Sequence, residues 1–213
     1  MSKLTKSLLI IAAVLIIDQI LKIWIKTHMM LGEEYRITNW FVIHFVENNG
    51  MAFGMELGGR FGKIALSIFR IIAVAAIGWV LFRTLRKPET TTGLMICGSL
   101  IFAGAIGNII DSVFYGLIFT ESYMHAATFT PIGEGYAPFL HGRVVDMFYF
   151  PLVEGIYPKW FPFGLAGKTF IFFRPVFNIA DSAISAGIIS VFIFQKKIFK
   201  DKNKENEAVA GES

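Results

Sequence analysis

Four long apolar segments constrain this chain more than any other feature of its sequence. They cover approximately residues 4–26, 63–85, 91–110 and 174–199. A helix needs about 20 apolar residues to cross the hydrocarbon core of a bilayer, and each segment reaches that length. Because the chain is also 54% hydrophobic over its 213 residues, a soluble domain is excluded. The sequence therefore predicts an all-α membrane protein with four transmembrane helices, forming a single domain over residues 1–213.

The distribution of Lys and Arg predicts how these helices are oriented. Basic residues precede the first segment, fill the connection between the second and third, and follow the fourth into the polar tail, residues 200–213. The two long connections, residues 27–62 and 111–173, are sparse in basic residues for their length. By the positive-inside rule, both termini are cytoplasmic and the long connections face outward. The net charge of +4 is thus a topology signal and does not indicate nucleic-acid binding.

The two outer connections differ in composition. The first contains YRITNWFVIHFVENNGMAFGM, whose aromatic and β-branched residues bounded by Gly predict a short strand or hairpin. The second is long and combines Pro and Gly with aromatic residues. Since non-helical backbone cannot face lipid, we expect this segment to lie at the membrane interface or against other protein.

Carboxylates and amides concentrate on the outer side of the predicted bundle. Charged side chains within a span are costly unless they are paired or hydrated. Asp111, Asp146 and Asp181 belong to the outer side, and Asp18 lies in the outer half of the first helix, four residues before Lys22. Three amides share this side of the membrane: Asn49, Asn108 and Asn178.

Several of these residues also suit purely structural roles. Asp18 and Lys22 share one helix face and can form an internal ion pair that stabilises the bundle. Asn108 and Asn178 can hydrogen-bond between helices. Asp111 can cap or hydrate the end of the third helix. The residue types alone leave these alternatives open.

Asp146 and Asp181 are the strongest candidates for chemistry. Both lie beside apolar runs, VVDMF and FNIAD, with no obligatory basic partner at helical spacing. Two carboxylates that meet at low dielectric share a proton, so one can act as a general base on water while the other polarises a carbonyl. This is peptide hydrolysis without a metal or a covalent nucleophile. The sequence has no H-E-x-x-H or G-x-S-x-G motif, so we expect no metal and no cofactor.

Five stretches, in order along the chain, resemble the bacterial lipoprotein signal peptidase family, also called signal peptidase II. They are DQILK from Asp18, ENNGMAFG from Glu47, GAIGNIIDS from Gly104, GRVVDMF from Gly142 and FNIADSAIS from Phe177. The resemblance implies a membrane aspartic endopeptidase that removes signal peptides from diacylglyceryl-modified prolipoproteins, cleaving just before the lipidated cysteine. It also implies a small β-rich periplasmic cradle in the first outer loop.

The resemblance also implies a location and a set of partners. The enzyme would be a multi-pass protein of the bacterial inner membrane, with its active site toward the periplasmic side. Its partners would be prolipoprotein signal peptides that carry a diacylglyceryl cysteine, together with membrane lipid. We expect a monomer.

The matched motifs assign roles to individual residues. The catalytic pair would be Asp146 and Asp181. The residues that bind substrate or support the site would be Asn49, Asn108, Asp111, Arg143 and Asn178, and the structural pair would be Asp18 and Lys22.

Two departures from the family pattern are visible. Ser112 stands where the family usually has Arg after its GNxxD motif, and Arg143 or Arg174 is the expected replacement. Residues 113–141 and 149–172 are longer than in compact members, and we expect them to form an aromatic flap at the membrane interface.

Two other classes of function compete with a peptidase. A small proton-coupled membrane carrier would distribute carboxylates along a path through both leaflets and would show repeated halves. The sequence instead clusters its carboxylates on one side and has no internal repeat. A structural or assembly subunit predicts that Asp146 and Asp181 tolerate replacement by neutral amides.

Overall fold

The computed structural model describes residues 1–49, 59–162, 164–172 and 175–198. Part of the ENNGMAFG motif, Arg174 and the polar tail lie outside the described residues. The helices in chain order are α1 (Lys3–His28), α2 (Gly59–Leu85), α3 (Thr92–Ile110), α4 (Gly116–Ile118) and α5 (Ile179–Ile198). The strands are β1 (Glu34–Arg36), β2 (Val42–Asn48), β3 (Val144–Tyr149), β4 (Val153–Ile156), β5 (Thr169–Phe172) and β6 (Val176–Phe177).

Apolar helices form the body of the protein. Within the described residues, three helical segments have the length and composition to cross a membrane: Lys3–His28, Gly62–Leu85 and Thr92–Ile118. A fourth apolar helix, Ile179–Gln195, is shorter. The expectation of a membrane protein built from apolar helices is confirmed at this level.

Two helix ends differ from those expected from hydropathy. The third helical segment does not stop at residue 110, because a π-helical turn, Asp111–Tyr115, leads into α4. The fourth long helix begins at Ile179 and not near residue 174, since Val176–Phe177 pair with β3 as a strand. Pro175 favours this extended backbone because its own φ is fixed and it donates no amide hydrogen.

A four-stranded antiparallel sheet lies at one end of the helices, with strand order β1-β2-β3-β6. Val46 pairs with Asp146, and Phe148 pairs with Phe177. The expected small sheet is present, but its confinement to the first outer loop is wrong. Strand β6 comes from the start of the segment predicted as the fourth helix. Strand β3 comes from the second outer segment, where it pairs with β2 across about 100 residues of chain. That segment also forms a separate β4–β5 hairpin.

Apolar packing joins the sheet to the helices. Ile25 and Met29 at the end of α1 form one buried cluster with Phe45 of β2 and Val145 of β3, and Tyr115 of the π-helical turn belongs to the same cluster. This cluster fixes the sheet over the helix ends where α1 finishes and α5 begins.

Glycines bring α3 and α5 into close contact. A Cβ on Gly104 would lie 2.2 Å from the backbone oxygen of Ala180, and a Cβ on Gly107 would lie 2.8 Å from Asp18 Oδ2. Small residues allow such backbone approach between membrane helices. The approach brings the ends of α1, α3 and α5 together under β3.

Candidate active site

Asn178 connects the two candidate carboxylates. Its Nδ2 donates a hydrogen bond to Asp146 Oδ1 at 2.7 Å. Its backbone N–H donates to Asp181 Oδ2 at 3.3 Å, and its Oδ1 accepts from the Asp181 N–H at 2.9 Å. Asn178 is fully buried. One residue between β6 and α5 therefore holds both acids.

The two acids occupy different environments. Asp146 lies in the middle of β3 and is only 3% exposed, whereas Asp181 lies in the first turn of α5 and is half-buried. Burial raises the pKa of Asp146 to about 8, and the neighbouring Asp181 carboxylate acts in the same direction. Hydrogen bonds from Asn48 and Asn178 oppose this increase. Burial therefore favours the protonated form of Asp146.

Asn108 supports Asp181 from α3. Its Nδ2 donates to Asp181 Oδ1 at 2.7 Å, while its Oδ1 accepts from Lys22 Nζ at 2.9 Å and from Asn178 Nδ2 at 3.1 Å. Because an ammonium group can only donate, Lys22 fixes which end of the amide faces Asp181. Asn108 therefore makes the expected hydrogen bond between helices, and its acceptor is the candidate acid Asp181.

Lys22 lies at the centre of a buried ionic cluster. Its Nζ is 3.0 Å from Asp18 Oδ2 and 2.9 Å from Asp111 Oδ2, and all three side chains are fully buried. The ion pair expected from the spacing of Asp18 and Lys22 is present. Asp18 also accepts the backbone N–H of Ala180 at 2.9 Å, and Asp111 accepts that of Val145 at 3.2 Å. The cluster therefore holds the start of α5 and the strand that carries Asp146.

Asn48 was missed by the sequence analysis. Its Nδ2 donates to Asp146 Oδ2, whereas the predicted Asn49 is exposed and its Oδ1 accepts from Lys63 Nζ at 2.7 Å. The two asparagines are adjacent in sequence. Only the register of β2 against β3 decides which of them meets the acid, and no motif shows that register.

Arg143 belongs to a second ionic cluster beside the first. Its Nη1 is 3.1 Å from Glu47 Oε2, and it also pairs with Glu121 and lies over the ring of Tyr136. Although partial burial acts against it, pairing with Glu121 and Glu47 raises the pKa of Arg143. Lys26, fully buried, binds the other oxygen of Glu47. The sequence analysis missed Lys26, Glu47 and Glu121 because they come from distant segments.

Arg70 of α2 was also missed. The guanidinium is half-buried, and the charges of Asp181 and Asp146 both act on it. A charged residue in an otherwise apolar span was the available signal. Ser112, where an arginine was expected, instead donates from its hydroxyl to the backbone oxygen of Asn108 at 3.0 Å.

A bundle of apolar helices with two acids held by one buried amide defines a membrane protein with a candidate aspartic peptidase site. The sequence profile of the signal peptidase (SPase) II family matches residues 10–197. The chain therefore belongs to the signal peptidase II family. The prediction of a membrane peptidase of this class is confirmed. The two competing hypotheses, a proton-coupled carrier and a structural subunit, are not supported.

Relatives and solved structures agree with this assignment. The lipoprotein signal peptidase of Porphyromonas gingivalis is 53% identical over 184 residues, which cover 86% of this chain and 80% of the relative. That of Amoebophilus asiaticus is 35% identical over 196 residues, covering 91% and 78%. A bacterial membrane enzyme solved by the in meso method at 2.3 Å resolution is 25% identical, with a TM-score of 0.57, and the match covers 93% of this chain and 92% of that one.

Proposed function

We propose that this signal peptidase removes the signal peptide from diacylglyceryl-modified prolipoproteins and cleaves just before the lipidated cysteine. The observation that carries the proposal is the direct hydrogen bonding of Asp146 and Asp181 to the single buried residue Asn178. The names of the relatives from Porphyromonas gingivalis and Amoebophilus asiaticus support lipoprotein precursors as substrates.

Asp146 and Asp181 act as general acid and general base. Asp181 takes a proton from water, and the water oxygen attacks the scissile carbonyl carbon while protonated Asp146 donates to the carbonyl oxygen. The product is a neutral tetrahedral diol. Asp181 then gives its proton to the leaving nitrogen as the C–N bond breaks, and Asp146 recovers a proton from the diol. Each acid ends in the state in which it began.

Neighbouring residues keep the two acids in position and bind the substrate. Asn108 and Asn178 orient Asp181, while Asp111 holds the backbone of β3 next to Asp146. The ionic cluster around Lys22 supports these contacts by holding the start of α5 and the backbone of β3. Asn49, exposed at the end of β2, binds the substrate backbone, and Arg143 stabilises the adjoining part of the sheet.

The site lies at the end of the bundle opposite the start of α1 and the turn between α2 and α3. Lys3 at the start of α1 donates to the backbone oxygen of Pro88 in the turn between α2 and α3, whereas the acids lie where α3 ends and α5 begins. The positive-inside rule assigns the basic end to the cytoplasm. The active site then faces the periplasmic side of the inner membrane, where the lipid tails of the substrate remain in the bilayer.

The enzyme works as a monomer, as a single domain over residues 1–213, and its site needs no metal or cofactor.

A cleavage assay with purified protein tests this function. The substrate is a synthetic precursor peptide that carries a diacylglyceryl cysteine, and its unmodified form tests whether the lipid is required. We expect Asp146→Asn and Asp181→Asn to abolish cleavage without unfolding the protein. Glu134→Gln, in an exposed loop, is the matched control and keeps full activity. Wild-type activity in either aspartate variant would overturn the assignment of the catalytic pair.

A further inference from the structure

One face of α2 is polar over its outer half. Lys63, Ser67 and Arg70 are spaced at i, i+4 and i+7, so their side chains leave the helix on the same side. Lys63 donates to Asn49 at 2.7 Å, and the buried Ser67 donates from Oγ to the backbone oxygen of Leu140 at 3.0 Å. This polar face is therefore turned toward the protein and toward the loops around the active site.

The neighbouring positions of α2 show the opposite character. Ile68, Phe69 and Ile72 are large, apolar and exposed, as expected for side chains that contact lipid. Arg70 lies between these residues in sequence but points with Lys63 and Ser67. An arginine within a span is costly in lipid and is normally directed at a partner inside the protein.

Arg70 interacts electrostatically with the two acids of the proposed catalytic pair. The charges of Asp181, on α5, and Asp146, on β3, both act on its guanidinium, with Asp181 the stronger. A guanidinium keeps its positive charge at every pH at which the enzyme works. It therefore supplies a fixed charge beside two groups that exchange a proton.

We propose that Arg70 is a positioning residue of the active site, whose fixed positive charge keeps the pair Asp146–Asp181 singly ionised at neutral and mildly acidic pH. This inference rests on the proposed function. An opposite charge nearby favours the ionised form of a carboxyl group. Arg70 thereby offsets the burial of Asp146, which favours full protonation of the pair, and preserves the base that activates water.

Other charged groups face the pair from the packed elements. Lys22 of α1 acts on Asp146, but its ammonium is held between Asp18 and Asp111. Beside the sheet, the charges of Lys26, Glu47, Glu121 and Arg143 are paired with one another. Lys63, two turns before Arg70, is bonded to Asn49. From α2, the guanidinium of Arg70 interacts electrostatically with both acids.

The pH dependence of cleavage tests the role of Arg70. Arg70→Gln removes the charge, so the pair loses its proton less readily and the acidic limb of the rate profile moves up by about one pH unit. At a given pH well down the acidic limb, cleavage then falls about tenfold. Arg70→Lys retains the charge and restores most of the wild-type profile. Arg83→Gln is the matched control, because Arg83 stacks on Trp79 at the far end of the same helix, and its profile stays unchanged.

Several outcomes would overturn the inference. An Arg70→Gln profile that superimposes on wild type, or a loss of rate that is equal at every pH and not rescued by Lys, contradicts it. If Arg70→Gln does not fold, the pH profiles of Arg70→His and Arg70→Lys are compared instead. His loses its charge across this pH range and Lys keeps it. Identical profiles for these two variants overturn the inference. The proposed function fails separately, through an active Asp146→Asn.

Discussion

Asn178 and Asp181 cap the first turn of α5 reciprocally. The side-chain oxygen of Asn178 accepts the Asp181 N–H at 2.9 Å, and the Asp181 carboxylate accepts the Asn178 N–H at 3.3 Å. This is the arrangement of a capping box, in which each side chain satisfies a backbone donor of the other residue. The hydrogen bonds that cap the start of α5 therefore also position the carboxylate of Asp181.

Replacing Asn178 separates its two roles. Asn178→Ser keeps a side-chain oxygen for the helix cap but loses the Nδ2 that binds Asp146, whereas Asn178→Ala loses both. We expect both variants to lower the free energy of unfolding, because both lose the buried hydrogen bonds of Nδ2. Asn178→Ala should cost about 1 kcal/mol more than Asn178→Ser, because it also loses the helix cap. Both variants should lose cleavage activity by roughly 100-fold, because the acids are no longer aligned. Thermal unfolding and the cleavage assay measure these effects, and full activity of Asn178→Ser would contradict the bridging role.

The protonation of Asp146 links stability to pH. Its pKa rises on folding from the usual value of about 4 to about 8, so the folded protein holds a proton that the unfolded chain has released. The stabilisation is complete below about pH 4 and is lost as pH rises through about 8, by up to about 1.4 kcal/mol per pH unit. We expect thermal stability to fall between pH 5 and pH 8 in wild type and to fall less in Asp146→Asn. Parallel pH dependences would contradict the raised pKa.

The parts of this structure that were predictable from sequence are those that depend on local signals. Apolar length showed the helices, and the i, i+4 spacing of Asp18 and Lys22 showed their ion pair. The pairing of Val46 with Asp146 is different, because strand partners about 100 residues apart leave no local periodicity. That pairing also determines that Asn48, and not Asn49, donates to Asp146. A shift of one residue exchanges the two faces of a strand.

The charged clusters as a whole were unpredictable from the sequence for the same reason. The acids were recognised because each lies in a motif, but the residues that surround them come from several elements. Glu47 meets Lys26 and Arg143 only after β2, α1 and the segment before β3 have packed together. Arg70 was visible as a charge in an apolar span, yet its electrostatic interaction with the acids depends on how α2 packs.

Replacing Lys22 tests how much the buried ionic cluster contributes to stability. Lys22→Met removes the cation and leaves Asp18 and Asp111 buried without it, so we expect a loss of about 3–5 kcal/mol in the free energy of unfolding. Asp111→Asn in the Lys22→Met background removes one of the uncompensated charges and should restore part of the loss. Unfolding of the single and double variants in detergent gives the coupling free energy. Strictly additive effects would show that the two side chains do not act together.

Close packing of α3 against α5 gives a further prediction, based on two glycines of the same helix. Gly104→Ala would place a Cβ 2.2 Å from the backbone oxygen of Ala180 and 2.7 Å from Ile184 Cγ1, and only a shift of the helices relieves the backbone clash. Gly98→Ala meets only the end of the Leu81 side chain, at 2.8 Å for the nearest atom, which can rotate away.

We expect Gly104→Ala to destabilise the protein by about 1–3 kcal/mol and Gly98→Ala to cost much less. The first change should also reduce cleavage, because moving α3 away from α5 lengthens the contact between Asn108 and Asp181, now 2.7 Å. Thermal unfolding and the cleavage rate are measured on both variants. Equal stability of the two would mean that the α3–α5 contact is not closely packed, whereas a loss of rate confined to Gly104→Ala ties helix packing to the alignment of the acids.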